Sequence, residues 1–195
     1  QTFPIKCLSL YLMIKKLLTV IFVLFCIAGA LYLALPNYNF PVPPPDAIVS
    51  QEPADLETPL RRGYFTDYSR EEVLAWYGKQ FDHANFFGIE LKIPTLLFNY
   101  PPENAQTLIR DQTGSTFLQE YAHPMRESIF INGNKPKTDG EKPIFNINGQ
   151  TRQQKIIIRS VESSVWLREA FFVVTMVTAV VIYRGYLRLF KKKNE

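Results

Sequence analysis

The sequence is poor in the residue types that carry chemistry. Its 195 residues include two cysteines and two histidines. Cys26 lies inside a long apolar run and Cys7 precedes it, so neither supplies a disulfide to the polar middle of the chain. Cys26 follows Phe25 rather than a small residue, which excludes a bacterial lipid-attachment motif. No Gly-x-Ser-x-Gly surrounds a serine, no Cys/His or His-x-x-x-His spacing supports zinc, and there is no glycine-rich phosphate loop and no internal repeat. His83 follows Asp82 at an expected helix end, where an imidazole commonly sits for dipole and solvation reasons. His123 precedes Pro124 at an expected strand end, and Glu120, three residues away, falls on the opposite face. These absences leave no catalytic, cofactor-binding or metal-ligating residue to nominate.

What the sequence does contain is a pair of apolar ends. Leu17 to Leu35 carries no charge, follows Lys15-Lys16 and stops at Pro36. As helix it would cover about 28 Å, close to the hydrocarbon thickness of a bilayer. Leu17 to Ile27 has the length of a signal-peptide core, and Ala28-Gly29-Ala30 fits a small-x-small cleavage site. The run continues to Leu35, however, which favours an uncleaved anchor. Met13-Ile14-Lys15-Lys16 resembles the start of an exported protein, so residues 1–12 are expected either to precede the natural start or to lengthen the anchor helix.

The second end runs from Val165 to Phe190. Its strictly apolar part, Ala170 to Tyr183, is about 21 Å long as helix and too short alone. Continuing to Phe190 closes the gap if Arg184 and Arg188 snorkel toward Lys191, Lys192 and Lys193. Trp166 suits the outer membrane interface, and Tyr183 and Tyr186 the inner one. Pairs of small residues, Ala30 with Ala34 and Thr175 with Ala179, are weak signals for helix association or for a homo-oligomer.

Charge separates the ends from the middle. The net charge is +4, yet residues 36–170 carry 14 Lys/Arg against 17 Asp/Glu. The basic excess is therefore terminal, and nucleic acid is excluded as a partner because phosphate binding needs clustered cations on a folded face. Basic flanks tend to stay cytoplasmic, so both termini are expected inside and the middle outside.

Residues 36–60 are rich in proline, including Pro43-Pro44-Pro45, and are expected to form an extended stalk. Folded structure is expected from Arg61. Ser69-Arg70-Glu71-Glu72 is a capping box, and Val73, Leu74, Trp76, Tyr77 and Phe81 follow at helical spacing, predicting a helix over 70–82. Residues 89–100 suggest extended structure interrupted at Pro94, which favours a sheet edge. Pro101-Pro102-Glu103 opens a second helix to about Asp111. Residues 116–122, 128–132, 144–148 and 154–161 read as strands, with tight reversals at Asn132-Gly133 and Asn148-Gly149 and an exposed loop over 134–142. Only about five residues separate Val161 from Trp166, so the domain is expected to rest close to the bilayer and the proline segment to lie along the domain or arc beside it.

Four segments, MIKKLLTVIFVLFCIAGALYLALP, SREEVLAWYGKQF, YPPENAQTLIRDQT and HPMRESIFINGNKP, together resemble small uncharacterised membrane proteins of candidate-phyla bacteria. The resemblance covers Met13 to about Val161 and implies no activity, cofactor or site residue.

The fold expected is α+β: two helices on an antiparallel sheet, flanked by an N-terminal and a C-terminal transmembrane helix. The order is a cytoplasmic stretch (1–16), an anchor (17–35), a stalk (36–60), an extracytoplasmic domain (61–161), a second anchor (165–190) and a basic tail (191–195). The expected function is a non-catalytic interaction or scaffold module of the cell envelope, whose partners are the lipid bilayer and a membrane or envelope protein. The alternatives are a small accessory subunit of a larger membrane complex, or an envelope enzyme acting on glycan or peptide. No cofactor is expected.

Overall fold

A computed structural model describes residues 5–86, 88–110, 114–135 and 145–193. The chain divides into two compact units, Gln1–Leu35 with Ser164–Glu195, and Pro36–Ser163. In chain order the elements are α1 (Ile5–Ala34), β1 (Ile48–Val49), β2 (Arg61–Thr66), α2 (Arg70–Phe81), β3 (His83–Phe86), β4 (Ile89–Lys92) and β5 (Leu96–Tyr100). Then follow α3 (Ala105–Leu108), β6 (Ser115–Ala122), β7 (Ser128–Asn134), β8 (Phe145–Ile147), β9 (Gln150–Arg152), β10 (Gln154–Val161) and α4 (Val165–Lys193). The architecture is α+β, built on a large antiparallel sheet.

The first unit is the helix pair. Leu12–Ala34 and Val165–Phe190 are long and apolar enough to cross a membrane, with mean hydropathies of 2.6 and 1.9. Only 6% and 11% of the two spans is buried, whereas the core helix of a soluble domain would be mostly covered. Helix α1 begins at Ile5, so residues 5–12 lengthen it. The seam between the helices runs through Gly29, where a Cβ would stand 2.6 Å from the ring of the buried Phe172. Thr175, Ala179 and Ala34 are exposed, so the helices meet on a glycine and an aromatic ring rather than on the small-residue pairs.

In the second unit six strands form one sheet in the order β1-β2-β10-β7-β6-β5, every neighbouring pair antiparallel. The central strands β7 and β10 are buried along most of their length, because both faces of the sheet are covered. On one face Ile129, Ile131, Ile156, Ile158 and Phe117 pack with Val73, Tyr77 and Phe81 of α2. On the other, Leu118, Phe130 and Ile157 pack with Ala105 and Ile109 around α3. Alternate residues of one strand thus enter two different cores. The helix over 70–82 forms as Arg70–Phe81, and its capping box is complete: Ser69 Oγ accepts from the Glu72 amide at 3.3 Å, and Glu72 accepts from the Ser69 amide at 2.8 Å. That backbone hydrogen bond, followed by the Ser69 hydroxyl, lowers the Glu72 pKa.

Three expectations are corrected. The segment 36–60 does lie along the domain, as the short second tether implied, but it is no separate stalk ahead of a domain starting at Arg61: it is part of the folded unit, because its apolar and acidic side chains find partners there. Tyr38 and Phe40 pack on the α2 core, and the Val42 backbone donates to and accepts from the Gln80 side-chain amide and accepts from Trp76 Nε1 at 2.9 Å. Asp46 accepts from Thr66 Oγ1 and from the Asp67 amide, each at 2.7 Å, while β1 pairs with β2. Asp55 is buried between Lys155 Nζ at 2.7 Å and Arg61 at 3.7 Å. The second helix is shorter than expected: a 3-10 turn at Pro102–Asn104 leads into α3, and Arg110 at φ 62° ends it. Asn132-Gly133 is no reversal but the interior of β7. Gly133 is required there because a Cβ would collide with the Phe117 ring, and Asn132 is fully buried, accepting from Ser115 Oγ at 2.6 Å.

Asn148-Gly149 does form the two-residue turn between β8 and β9, with φ of 53° and 80°. Pro94 lies between β4 and β5, and β5 is an edge strand. Most of the loop expected over 134–142 lies outside the described residues, as does Asp111.

Two predictions follow from these contacts. Asp55→Asn removes the buried anion beside Arg61 and Lys155, of which Lys155 keeps Glu52 at 2.8 Å, and is expected to lower the unfolding free energy by about 3 kcal/mol. Ser69→Ala, which removes one helix cap, should cost about 1 kcal/mol. Denaturant titration of the full chain in detergent, followed by circular dichroism, ranks the two. On β5, the hydrogen bond that the Tyr100 hydroxyl donates to Glu120 at 2.6 Å, with burial and the carboxylate charge adding to it, pushes that phenol from 10.0 up to about 12. A raised value in the folded state means that the bond's contribution is intact below pH 10.0 and is lost as pH rises toward 12. Ultraviolet titration of the protein against Tyr100→Phe should isolate one tyrosine ionising near 12.

Candidate functional site

The two chain ends of the folded unit meet. Asn37 Nδ2 donates to the Ser163 carbonyl at 3.2 Å, and Ser163 Oγ donates to the Arg126 carbonyl at 2.6 Å. Arg126 Nη2 in turn donates to the Pro36 carbonyl at 2.7 Å. Entry and exit are therefore held together by one buried arginine on the turn between β6 and β7.

That turn, His123-Pro124-Met125-Arg126-Glu127, is shaped to point its polar side chains inward. The His123 amide donates to the Glu127 carbonyl at 2.9 Å and the Arg126 amide to the His123 carbonyl at 3.0 Å, with Met125 at φ 60°. Met125 takes the exposed tip, while His123, Arg126 and Glu127 are buried. Arg126 Nη2 lies 3.0 Å from Glu127 Oε1, and that same oxygen lies 2.7 Å from His123 Nδ1. The other ring nitrogen, Nε2, is 2.7 Å from the Phe81 carbonyl, and the imidazole stacks on the Phe81 ring at 4.1 Å. Both His123 nitrogens are engaged within the protein, which leaves neither for a substrate. The arrangement is a clasp: the last residue of α2, the β6–β7 turn and both ends of the unit are joined through one run of hydrogen bonds, with the Arg126 guanidinium supplying charge-assisted ones to the Pro36 carbonyl and to Glu127.

His83 sits elsewhere. It pairs with Asp82 and lines a cleft of about 410 Å³ together with Tyr38, Phe40, Gln80 and Glu90. Partial burial raises the Tyr38 phenol pKa. The two histidines therefore belong to different surroundings and converge on no shared nucleophile among the described residues. No group of three or more His, Cys, Asp or Glu side chains able to hold a metal occurs among the described residues.

The residues expected at the membrane interfaces all lie on α4. Trp166 is in its first turn and 68% exposed. Tyr183, Arg184, Tyr186 and Arg188 are exposed in its second half, Tyr186 lying 4.4 Å from the Phe190 ring, and Lys191, Lys192 and Lys193 form its last residues. Three further residues have roles that reading the sequence did not single out. Arg126 and Glu127 form the clasp, for which the signal was a His, an Arg and a Glu within five residues of a turn. Arg168, buried on α4, donates to the Leu33 and Leu35 carbonyls at 3.4 and 3.3 Å. It thereby satisfies one carbonyl in the last turn of α1 and the one just beyond the helix.

Arg126→Met, which keeps most of the side-chain volume and removes the charge, is expected to cost about 3–5 kcal/mol of unfolding free energy. It should also increase the distance between spin labels placed at Asn39 and Glu162, measured by electron paramagnetic resonance. Compared with known proteins, the chain matches no family model, no curated protein and no solved structure.

Proposed function

We propose that this chain is a two-pass membrane protein that holds the Pro36–Ser163 unit outside the cytoplasm as a non-catalytic interaction or scaffold module of the cell envelope. The observation that carries the reading is the exposure of two spanning-length apolar helices, one before and one after a folded, polar unit in the chain. Transferring such surface from lipid to water would be strongly unfavourable, since each exposed leucine or valine side chain is worth about 1.5–3 kcal/mol. Charge supports the orientation: the basic residues flank the helices, Lys15 and Lys16 at one end and Arg184 to Lys193 at the other, while the middle is acidic. The clasp supports a structural role, because its buried charges are spent on holding the chain ends rather than presented to a ligand.

A second reading is an accessory subunit of a larger membrane complex. It is favoured by the narrow seam between α1 and α4, which leaves apolar faces such as Leu17, Leu24, Val174 and Val181 available to other helices as well as to lipid.

Single cysteines introduced into a cysteine-free background discriminate orientation. An impermeant thiol reagent added to intact cells should label positions such as Gln51 and Glu103, and should reach Asn194 only after the membrane is opened. Labelling of Asn194 in intact cells would overturn the proposed topology. Purification from mild detergent then separates the two readings: a stable complex with one set of membrane subunits favours the accessory role.

A further inference from the structure

The two edges of the six-stranded sheet are unlike. At one edge β1 is two residues long, too short to template another strand. At the other, β5 offers five residues, Leu-Leu-Phe-Asn-Tyr, with no charge, proline or bulge inside the strand. These are the devices that normally blunt an edge. Its pairing with β6 leaves the opposite row of backbone groups without a strand among the described residues. Most of the strand is apolar and exposed: Leu96 is 47%, Leu97 52% and Phe98 43% exposed, while Asn99 accepts from Arg70 Nη2 at 3.3 Å on one face and Tyr100 packs on Phe130 on the other.

We propose that β5 is the contact between two copies of this chain, pairing antiparallel about Phe98 to continue the sheet across a two-fold axis. This deepens the scaffold reading and rests on it for its biological role, while the edge is a property of the Pro36–Ser163 unit alone. A two-fold contact must bring β5 against itself antiparallel, and this strand suits that arrangement. With Phe98 opposite its own copy, Leu96 faces Tyr100 and Leu97 faces Asn99 of the other chain. Leu96, Phe98 and Tyr100 share one face of the sheet, so the two copies form an aromatic and aliphatic ladder of the kind that stabilises cross-strand pairs. The flanks are complementary in charge. Exposed Lys92, the last residue of β4, precedes the strand in the chain and exposed Glu103 follows it, so antiparallel pairing brings the segment carrying the lysine of one copy toward the segment carrying the glutamate of the other. No like charges are opposed within the strand.

The register makes the contact testable by disulfide formation in the full chain with Cys7 and Cys26 replaced by alanine. Opposed residues have Cα atoms about 4.5–5.5 Å apart, inside the range of about 4.4–6.8 Å that a disulfide spans. Phe98→Cys alone should therefore form a crosslinked dimer on mild oxidation. Leu96→Cys alone should not, because its two copies would lie four positions apart, about 14 Å along the strand. Mixing Leu96→Cys with Tyr100→Cys protein should restore the crosslink. Phe98→Lys, shown by circular dichroism to be folded, should weaken the dimer of the purified protein in sedimentation by at least about tenfold, since it sets two cations opposite one another. A monomeric wild-type protein, equal crosslinking at all three positions, or capture of a different polypeptide by Phe98→Cys would each overturn the proposal. Purified protein in detergent reports the contact whatever the orientation of the helices, so its failure is distinguishable from failure of the topology.

Discussion

The Arg126 clasp is the interaction on which the layout of the folded unit depends. A chain that enters at Pro36 and leaves at Ser163 has two free ends, and joining them costs loop-closure entropy. The cost is met locally, by one arginine that reaches the Pro36 carbonyl and belongs to a turn whose own carbonyl accepts from Ser163. Glu127 and His123 hold that turn against the end of α2. Buried ion pairs of this sort add little to stability relative to an apolar replacement, but breaking one leaves a charge without its partner. The clasp therefore acts less as glue than as a definition of where the chain ends sit.

Given that closure, the path of residues 36–60 follows. The sheet buries both faces of β7 and β10, yet among the described residues the unit has one helix of full length, α2, and a single-turn α3. Something else must complete the cover. The proline-rich segment does so as a strap: aromatic residues at its start meet the α2 core, Asp46 fixes it at the end of β2, and Asp55 anchors it beside Arg61 and Lys155. Proline suits this task because it restricts the unfolded chain and leaves fewer conformations to lose on folding. Backbone groups without regular partners are satisfied by side chains, as at Val42, which is bonded by Gln80 and Trp76.

What was legible in the sequence was periodicity with its punctuation. The α2 helix, β6, β10, the Asn148-Gly149 turn and both apolar helices each announce themselves within a dozen residues or through a long uniform run. What was not legible depends on partners distant in the chain. Proline content alone cannot distinguish a spacer from a strap, because the difference lies in whether Thr66, Gln80 and Lys155 are there to receive it. Gly133 looks like a turn residue until the Phe117 ring is placed over it. His123 and Glu127 lie four apart at a hairpin, and only the turn conformation shows that they share a face and bury each other.

The unprotected edge of β5 gains a physical rationale from the same closure. A soluble domain with an uncharged, apolar edge strand risks open-ended association, since any chain can approach from any direction. On the proposed topology, the unit is tethered to the membrane by both of its chain ends, so its copies meet by diffusion in a plane. Restricting approach raises the effective concentration of the correct encounter without any new contact. It also suppresses the stacked arrangements that lead to fibres. Because the opposite edge ends in the two-residue β1, a β5 pair has no second long edge through which to grow, so the association closes at two copies.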